Sequence, residues 1–432
     1  MKLYSTNSPD IQVSIREAVL QSLPQDNGLY MPQFIPQLEE DWLTHLDHYS
    51  FQDIAYHIAM LYFEDDIEAS ILRNIIDDAI NFPAPVITVD NQLSILELFH
   101  GPTLAFKDFG ARFMARVMNY FWDDTDGKLQ ILVATSGDTG GAVAAGFYGL
   151  ENIQVTILYP KGKVSALQEA QLTTWGKNIR AIEVEADFDA CQKLVKEAFL
   201  DKKLNESLNL SSANSINIAR LIPQSFYYFE AAKQMPKEKD LVFSVPSGNF
   251  GNLTAGLLAK RMGLPISRII AATNINDVVP EYLNTGLFSP RRSQTTLSNA
   301  MDIGNPSNFD RIMNLYGSTW NDVKKDIIGF SFSDQETIEE ILYTQQNLGY
   351  VLDPHTAVGL LAAKAYKKHG HPNQEIIVLS TAHPIKFESE LEDHIPFKIP
   401  FPARIHQFIT PTSHKVTMDP QFDSFKKYLL TH

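Results

Sequence analysis

Short apolar runs alternate with amphipathic helical segments over most of the chain, and this alternation limits the fold more than any other feature. Strands alternating with helices indicate βαβ units and parallel sheets, in which ligands bind at the carboxyl ends of the strands. Two glycine-rich turns follow strands in this pattern, so both are expected at that edge. The runs typical of buried strands are 129–134, 154–159, 178–184, 241–245, 268–272 and 375–380.

The same pattern predicts three regions. Residues 1–85 read as helices joined by short polar turns, and they end in a proline-rich stretch that disfavours helix. Residues 86–235 and 236–432 are expected to form two α/β regions that exchange segments. The predicted fold class is α/β, with two doubly wound parallel-sheet domains and an N-terminal mainly helical region. The chain after about residue 390 is rich in proline and polar residues and carries no clear expectation.

Charge and cysteine content narrow the classes of partner. The 36 Lys and Arg residues face 51 Asp and Glu residues, a net charge of −15, which argues against nucleic acid and anionic membrane surfaces. No apolar run approaches the ~20 residues of a membrane span. The only cysteine, Cys191, allows no intrachain disulfide and no cysteine-based metal cluster. We therefore expect a cytoplasmic monomer or weak homodimer that acts on a small molecule and has no metal site.

One lysine lies among apolar residues at the start of a helical segment. Leu104, Ala105 and Phe106 precede Lys107, and phenylalanine and valine side chains recur behind it at helical spacing. A lysine in an apolar site loses proton affinity, and its neutral amine can attack a carbonyl. The alternative is a side chain that reaches the surface from the first turn of an ordinary helix.

The turn at residues 247–252 (SGNFGN) follows a predicted strand and precedes a predicted helix. Its glycines allow successive amide groups to converge on one anion, and the helix adds its positive dipole end. It lacks the lysine of a P-loop and the spacing of the dinucleotide fingerprint, so a phosphate monoester is the predicted ligand. The alternative is a tight turn with asparagine caps.

The turn at residues 135–141 (TSGDTGG) has the same placement and more hydroxyl groups. Ser136 and Thr139 could hold a carboxylate or phosphate, whereas Asp138 would cap backbone donors or handle protons; ordinary N-capping is the alternative. Together, the lysine and the two turns indicate pyridoxal phosphate chemistry. Lys107 would form the Schiff base, one turn would hold the cofactor phosphate, and the other would hold an amino-acid carboxylate. Thr381, after the last strong strand, would lie near the pyridine nitrogen.

Residues 100–116, 134–140, 247–252 and 381–384 resemble the corresponding motifs of threonine synthases, and the similarity extends from the N-terminus to about residue 390. The resemblance implies a fold-type-II pyridoxal phosphate enzyme, similar to the tryptophan synthase β subunit, of the longer bacterial and fungal type. It implies that Lys107 is the cofactor lysine and that Thr381 faces the pyridine nitrogen. The cofactor-phosphate contacts that it implies are Gly248, Asn249, Phe250, Gly251 and Asn252.

The reaction implied by the resemblance converts O-phospho-L-homoserine and water to L-threonine and phosphate by β,γ-elimination and hydration, the last step of threonine biosynthesis. A doubly charged substrate phosphate needs cationic partners. The candidate cations are Lys163 and Arg220; their alternatives include a solvated surface turn for Lys163. Candidate hydrogen-bond donors are Asn214, Ser215 and Asn217, of which Asn214 or Ser215 could instead cap a helix.

Two rival functions remain open at this point. A threonine or serine dehydratase would share Lys107 and the phosphate turn but would need no second phosphate site. A catalytically silent relative that binds pyridoxal phosphate is the other rival, although such proteins often lack the lysine. Within the resemblance, Asp138 favours the synthase, because dehydratases and sulfhydrylases usually carry asparagine there.

Overall fold

The computed structural model describes residues 1–122, 127–368, 373–408 and 413–431. The N-terminal region contains a three-stranded antiparallel sheet as well as helices, so the prediction of helices joined only by turns is wrong in this respect. Strands of three or four residues are too short to show an alternating pattern, which is why the sequence did not reveal them. The elements are β1 (Lys2–Ser5), β2 (Gln12–Ser14), α1 (Ile15–Gln21), β3 (Tyr30–Pro32), α2 (Glu40–Thr44), α3 (Phe51–Phe63) and α4 (Ala69–Ala79).

The rest of the chain alternates strands and helices. Its strands are β4 (Val86–Asp90), β5 (Leu93–Glu97), β6 (Leu129–Ala134), β7 (Ile153–Pro160), β8 (Ile179–Val184), β9 (Asn209–Ser212), β10 (Asp240–Pro246), β11 (Ile266–Thr273), β12 (Ile327–Ser331), β13 (Gln374–Ser380) and β14 (Lys415–Met418). Its helices are α5 (Lys107–Phe121), α6 (Asp138–Phe147), α7 (Ala166–Thr173), α8 (Phe188–Leu200), α9 (Lys202–Ser207), α10 (Ile218–Leu221), α11 (Pro223–Lys233), α12 (Gly251–Arg261), α13 (Val278–Thr285), α14 (Phe309–Leu315), α15 (Trp320–Asp326), α16 (Asp334–Leu348), α17 (Pro354–Lys367), α18 (Glu388–Leu391) and α19 (Phe422–Thr431).

Two large sheets carry the α/β part of the fold. The first has five parallel strands in the order β14-β8-β7-β6-β9. The second has the order β12-β11-β10-β13-β5-β4, and all its pairs are parallel except β4 with β5. Strands β6, β7 and β10 are buried almost throughout, as continuous apolar runs in a sheet covered on both faces must be.

Chain segments cross between the two sheets. Strands β4 and β5 lie in the second sheet, although the helices and strands that follow them build the first. Strand β14, near the end of the chain, returns to the first sheet and pairs with β8. Each large sheet therefore contains strands that are distant from the others in sequence.

Helix α5 is amphipathic in the way its sequence predicted. Phe109, Phe113, Val117 and Phe121 are buried in the main hydrophobic core, and Lys107 stands at the N-terminal end of this helix. The apolar stripe packs α5 against α6 and α10, which directs its first residue toward the strand ends. None of the described helices combines the length and the apolar character that crossing a membrane requires.

Candidate active site

A cavity of about 570 Å³ lies at the carboxyl ends of strands from both large sheets. Ala134, Pro246 and Thr381, which end or follow β6, β10 and β13, contribute to its wall. Thirteen residues predicted from the sequence as cofactor or substrate contacts line this one cavity, although they come from five separate stretches of chain. They are Lys107, Ser136, Asp138, Thr139, Asn214, Ser215, Arg220, Gly248, Asn249, Phe250, Gly251, Asn252 and Thr381.

Two predicted contacts are not brought to the cavity. Lys163 is exposed in the turn after β7 and does not line the wall, because the short turn at Gly162 leaves its side chain in solvent. Asn217 is the N-cap of α10: its side chain accepts a hydrogen bond from Ala219 N–H at 2.9 Å and donates to Val19 O at 2.9 Å. Helix capping was the alternative role considered for Asn214 or Ser215, but the residue that caps α10 is Asn217.

Lys107 reaches the cavity from a constrained turn. The Phe106 N–H donates to Thr381 O at 2.9 Å, and the His383 N–H donates to Leu104 O at 3.0 Å. Leu104 has a φ of 60°, a left-handed conformation that costs a non-glycine residue about 1–2 kcal/mol and is concentrated at functional sites. The two backbone hydrogen bonds hold this turn against the end of β13 and so fix where the lysine enters the cavity.

The surroundings of Lys107 lower the proton affinity of its amine. Its side chain is 15% exposed, and Nζ lies 3.6 Å from Asp138 Oδ2. Burial lowers the pKa of Lys107 below its ordinary value, and the nearby cations Arg220 and Lys386 lower it further, whereas Asp138 opposes the shift. The amine therefore loses its proton more readily than a surface lysine does, which is the property that both imine chemistry and proton abstraction require.

Asp138 is held as a carboxylate between two lysines. Lys386 Nζ lies 3.1 Å from Asp138 Oδ1, and Gln168 Nε2 donates to the same oxygen at 3.0 Å. Burial would raise the pKa of Asp138, but Lys386 and Lys107 outweigh burial and bring it below the ordinary value. Asp138 begins α6 without capping it, so the N-capping alternative does not describe its side chain.

Lys386 is a charged residue near the cavity that was not predicted from the sequence. It is fully buried in a 3₁₀ turn, Pro384–Phe387, that directly follows the segment containing Thr381. The available signal was the one that identified Lys107: a single lysine among apolar side chains, just after the carboxyl end of a strand.

The turn at residues 247–252 presents backbone donors that the protein does not use. The amide groups of residues 248–252 have no acceptor among the described residues, and Phe250 has a φ of 58° ahead of α12. The Asn252 side chain is engaged within the turn, where it accepts from Ser247 Oγ and Leu253 N–H, each at 2.9 Å. Free amides at the N-terminus of an eleven-residue helix fit the phosphate of pyridoxal phosphate.

The turn at residues 135–141 offers a second anion site. Thr135 Oγ1 accepts from the amides of Gly137 at 3.0 Å and Gly140 at 2.9 Å, which fixes the turn. The amides of residues 136, 138 and 139 have no acceptor in the described part of the chain. The hydroxyl-bearing Ser136 and Thr139 stand beside them on the cavity wall, so this turn can bind a carboxylate through neutral donors.

Arg220 is a buried cation without a carboxylate partner among the described residues. Its Nη1 donates to Ala213 O at 2.8 Å, while its Nε has no hydrogen-bond partner there. Burial lowers the pKa of Arg220 to about 10, which leaves the guanidinium charged at neutral pH. With Asn214 and Ser215 on the same wall, it forms a second candidate anion site, which adjoins the turn at residues 247–252 because Asn249 Nδ2 donates to Ser215 Oγ at 2.5 Å.

A loop between α13 and α14 forms part of the cavity wall. Residues 299–305 line the cavity, and the Ala300 N–H donates to His355 Nε2 at 3.2 Å. The Nδ1 of His355 lies 2.9 Å from Asp353 Oδ1. His355 therefore connects this loop to the N-terminal end of α17.

Comparisons with known proteins agree with this arrangement. A family model described as pyridoxal-phosphate dependent enzyme matches residues 86–382. Models described as threonine synthase N terminus and threonine synthase, C-terminal, match residues 2–80 and 356–429.

Individual relatives match over their whole length. Threonine synthase of Haemophilus influenzae is 46% identical over 432 residues, covering 100% of both chains. The crystal structure of threonine synthase from Escherichia coli has a TM-score of 0.91 at 42% identity and also covers 100% of both chains. The PLP-bound threonine synthase from Brucella melitensis has a TM-score of 0.93 at 33% identity, covering 100% of this chain and 99% of that one. Together with the family models, these similarities show that the chain belongs to the threonine synthase family of pyridoxal-phosphate-dependent enzymes.

Proposed function

We propose that this chain converts O-phospho-L-homoserine and water to L-threonine and phosphate, with pyridoxal phosphate linked covalently to Lys107. The observation that carries the proposal is the buried Arg220, whose Nε has no partner among the described residues. A dehydratase acting on threonine or serine has no phosphate to bind at that position. A silent relative is disfavoured because Lys107 is present and its pKa is lowered.

Each part of the substrate has a matching group in the cavity. The free amides at residues 136, 138 and 139 and the hydroxyls of Ser136 and Thr139 would bind the α-carboxylate. Arg220, Asn214 and Ser215 would bind the phosphate on Cγ. With both ends held, the substrate Cα and Cβ would lie over Lys107, which is the arrangement that makes proton transfer effectively intramolecular.

The cofactor would be held by this chain at three places. The amides of residues 248–252 would bind its phosphate, Lys107 would hold its aldehyde carbon, and the Thr381 hydroxyl would face its ring nitrogen. When bound, pyridoxal phosphate supplies an electron sink for the negative charge that develops on the substrate.

Lys107 would carry the protons in this reaction. Once released from the cofactor, its amine would remove the proton from Cα and then a proton from Cβ, after which phosphate leaves from Cγ and Cγ takes up a proton. The hydroxyl of water would then add at Cβ, Lys107 would return a proton at Cα, and the remaining proton of water would leave with the phosphate. The lowered pKa of this lysine supports both roles, because an amine that titrates closer to neutral pH exists in both forms during turnover.

Two measurements test the proposal. Purified protein should show the visible absorption of pyridoxal phosphate linked to lysine, and Lys107→Ala should remove both the absorption and the activity, whereas the exposed-lysine control Lys202→Ala should retain both. Fed O-phospho-L-homoserine, the protein should release threonine and phosphate in equal amounts. Accumulation of 2-oxobutyrate in place of threonine would identify a dehydratase, and threonine formation by Lys107→Ala would exclude the assignment.

We also propose that the chain acts in the cytoplasm as a monomer or weak homodimer, built from regions 1–85, 86–235 and 236–432. Its single cysteine, Cys191, is buried and unpaired, which supports a reducing compartment. Analytical ultracentrifugation over a range of protein concentrations tests the oligomeric state; a stable tetramer would contradict it.

A further inference from the structure

Lys386 is a fixed cation beside the catalytic lysine. Its side chain is 0% exposed, and Nζ donates to Thr103 O at 2.8 Å and Gln171 Oε1 at 2.5 Å, and lies 3.1 Å from Asp138 Oδ1. An ammonium group has three donors, and three acceptors surround this one. Lys386 is therefore a fully engaged ammonium group with no lone pair to offer a substrate.

The two oxygens of Asp138 face different lysines. Oδ1 is occupied by Lys386 at 3.1 Å and by Gln168 Nε2 at 3.0 Å, whereas Oδ2 faces Lys107 at the longer distance of 3.6 Å. A buried carboxylate paired with a single lysine would bind it tightly and hold it protonated. Here Lys386 already balances the negative charge of Asp138, so this carboxylate stabilises the ammonium form of Lys107 only weakly.

We propose, on the basis of the function above, that Lys386 is a positioning residue: it occupies Oδ1 of Asp138, turns Oδ2 toward Lys107, and leaves the Lys107 amine free to accept a proton from the substrate. Lys386 touches neither substrate nor cofactor in this scheme, because it is fully buried behind Asp138 and is not part of the cavity wall. It acts on the reaction only through the carboxylate that the two lysines share.

Other charged groups act in the same area without duplicating this role. Arg220 is a second cation that lowers the pKa of Lys107. His355, in α17, contributes to the lowering of the pKa of Asp138. Asp108, the next residue in α5, accepts from Thr103 N–H at 2.9 Å and Thr103 Oγ1 at 2.6 Å. Burial raises the pKa of Asp108 to about 6, and the positive charges of Lys386 and Arg112 oppose this shift. Of these groups, Lys386 alone has an ion pair with Asp138 besides that of Lys107 within the described residues.

The test is the pH dependence of Lys107 in Lys386→Met. A neighbouring charge shifts a pKa by about 1–3 units. Because Lys107 is a free amine only once substrate is bound, the acidic limb of the kcat profile should move to higher pH by about one unit or more. Activity at neutral pH should fall at least roughly tenfold and recover as the pH is raised. Lys386→Arg, which keeps the charge, should return the limb toward that of the parent protein.

A second readout does not depend on turnover. The acylation rate of Lys107 in the full chain before cofactor addition, followed by peptide mass spectrometry, should show the same upward shift of its midpoint in Lys386→Met. If Lys386→Met does not fold, Lys386→Gln keeps a donor without the charge and should show the same shift. An activity loss that is equal at every pH, with an unchanged labelling midpoint, would overturn the proposal and leave Lys386 a packing residue. A failure of the proposed function itself would appear separately, as absence of threonine from the parent protein.

Discussion

Arg220 offers a residue-scale test of the proposed substrate phosphate site. Replacing it with methionine removes a buried guanidinium that has no carboxylate partner among the described residues. Hydrogen bonds to charged groups contribute about 1.5–3 kcal/mol, so the KM for O-phospho-L-homoserine should rise on the order of 10- to 100-fold. The melting temperature without substrate should change little, because the variant no longer buries an unpaired charge. Steady-state kinetics and thermal melting together check both expectations.

Arg311 is the matched control, a second buried arginine with its donors satisfied. It donates to Ile216 O at 2.6 Å, to Asn308 Oδ1 at 2.8 Å and to Tyr30 O at 3.1 Å. Arg311→Met would leave these buried acceptors without a donor, so we expect a loss of about 3 kcal/mol or more in the free energy of unfolding. A large loss of stability in Arg220→Met with an unchanged KM would show that Arg220, too, is structural.

At the same scale, Lys107 was singled out from the sequence, whereas Lys386 was not. The apolar run around Lys107 and the helix behind it are local features, so they can be read from one stretch of sequence. The contacts among Asp138, Gln168 and Lys386 join three distant segments. Their meeting depends on how β6 and β13 are placed in space, which no local pattern specifies.

Among the elements, the turn between β10 and α12 can be tested through Gly248. A Cβ on this residue would lie 2.6 Å from Ala300 O and 2.7 Å from Met301 Cα, so the 299–301 turn would have to move. Overpacking of this kind costs about 1–3 kcal/mol, and we expect Gly248→Ala to weaken pyridoxal phosphate binding on the order of tenfold. Equilibrium titration of the cofactor measures this change.

The control for Gly248→Ala is a glycine in open space. Gly162 has a φ of +65° and no neighbouring atom within 4 Å of an added Cβ, so Gly162→Ala tests backbone strain alone, at a cost of about 1 kcal/mol. Cofactor affinity should be unchanged in this variant. Equal affinities for the two alanine variants would argue that the close approach of Gly248 to the 299–301 turn is unimportant.

Six strands with long apolar runs were predicted from the sequence, whereas several shorter strands, including the buried β5, were missed. The buried runs at 129–134 and 241–245 coincide with β6 and β10 to within a residue. Strand β4 was missed: it lies at the edge of its sheet with an irregular burial pattern. Strand β14 was missed because four residues, Lys415–Met418, owe their conformation to pairing with β8 and not to their own sequence.

Across the whole molecule, the crossing of segments between the sheets predicts cooperative unfolding. Helix α19 follows β14 and buries Phe425, which is 0% exposed, in a cluster with Leu194 and Ile182 of the first large sheet region. Strands β4 and β5 make the reverse crossing into the second sheet. Neither sheet can then lose its order without releasing strands that belong, by sequence, to the other part of the chain.

Phe425→Ala tests this coupling. Removing a buried phenylalanine costs about 3–5 kcal/mol, and we expect faster hydrogen exchange in β8 of the first sheet and also in β10 of the second, with a single melting transition at lower temperature. Phe401→Ala, at a side chain that is 48% exposed, should leave both unchanged. Exchange that accelerates only in β8, or a transition that splits in two, would show that the sheets unfold separately. In that case the crossed strands would connect the two sheets without making them one cooperative unit.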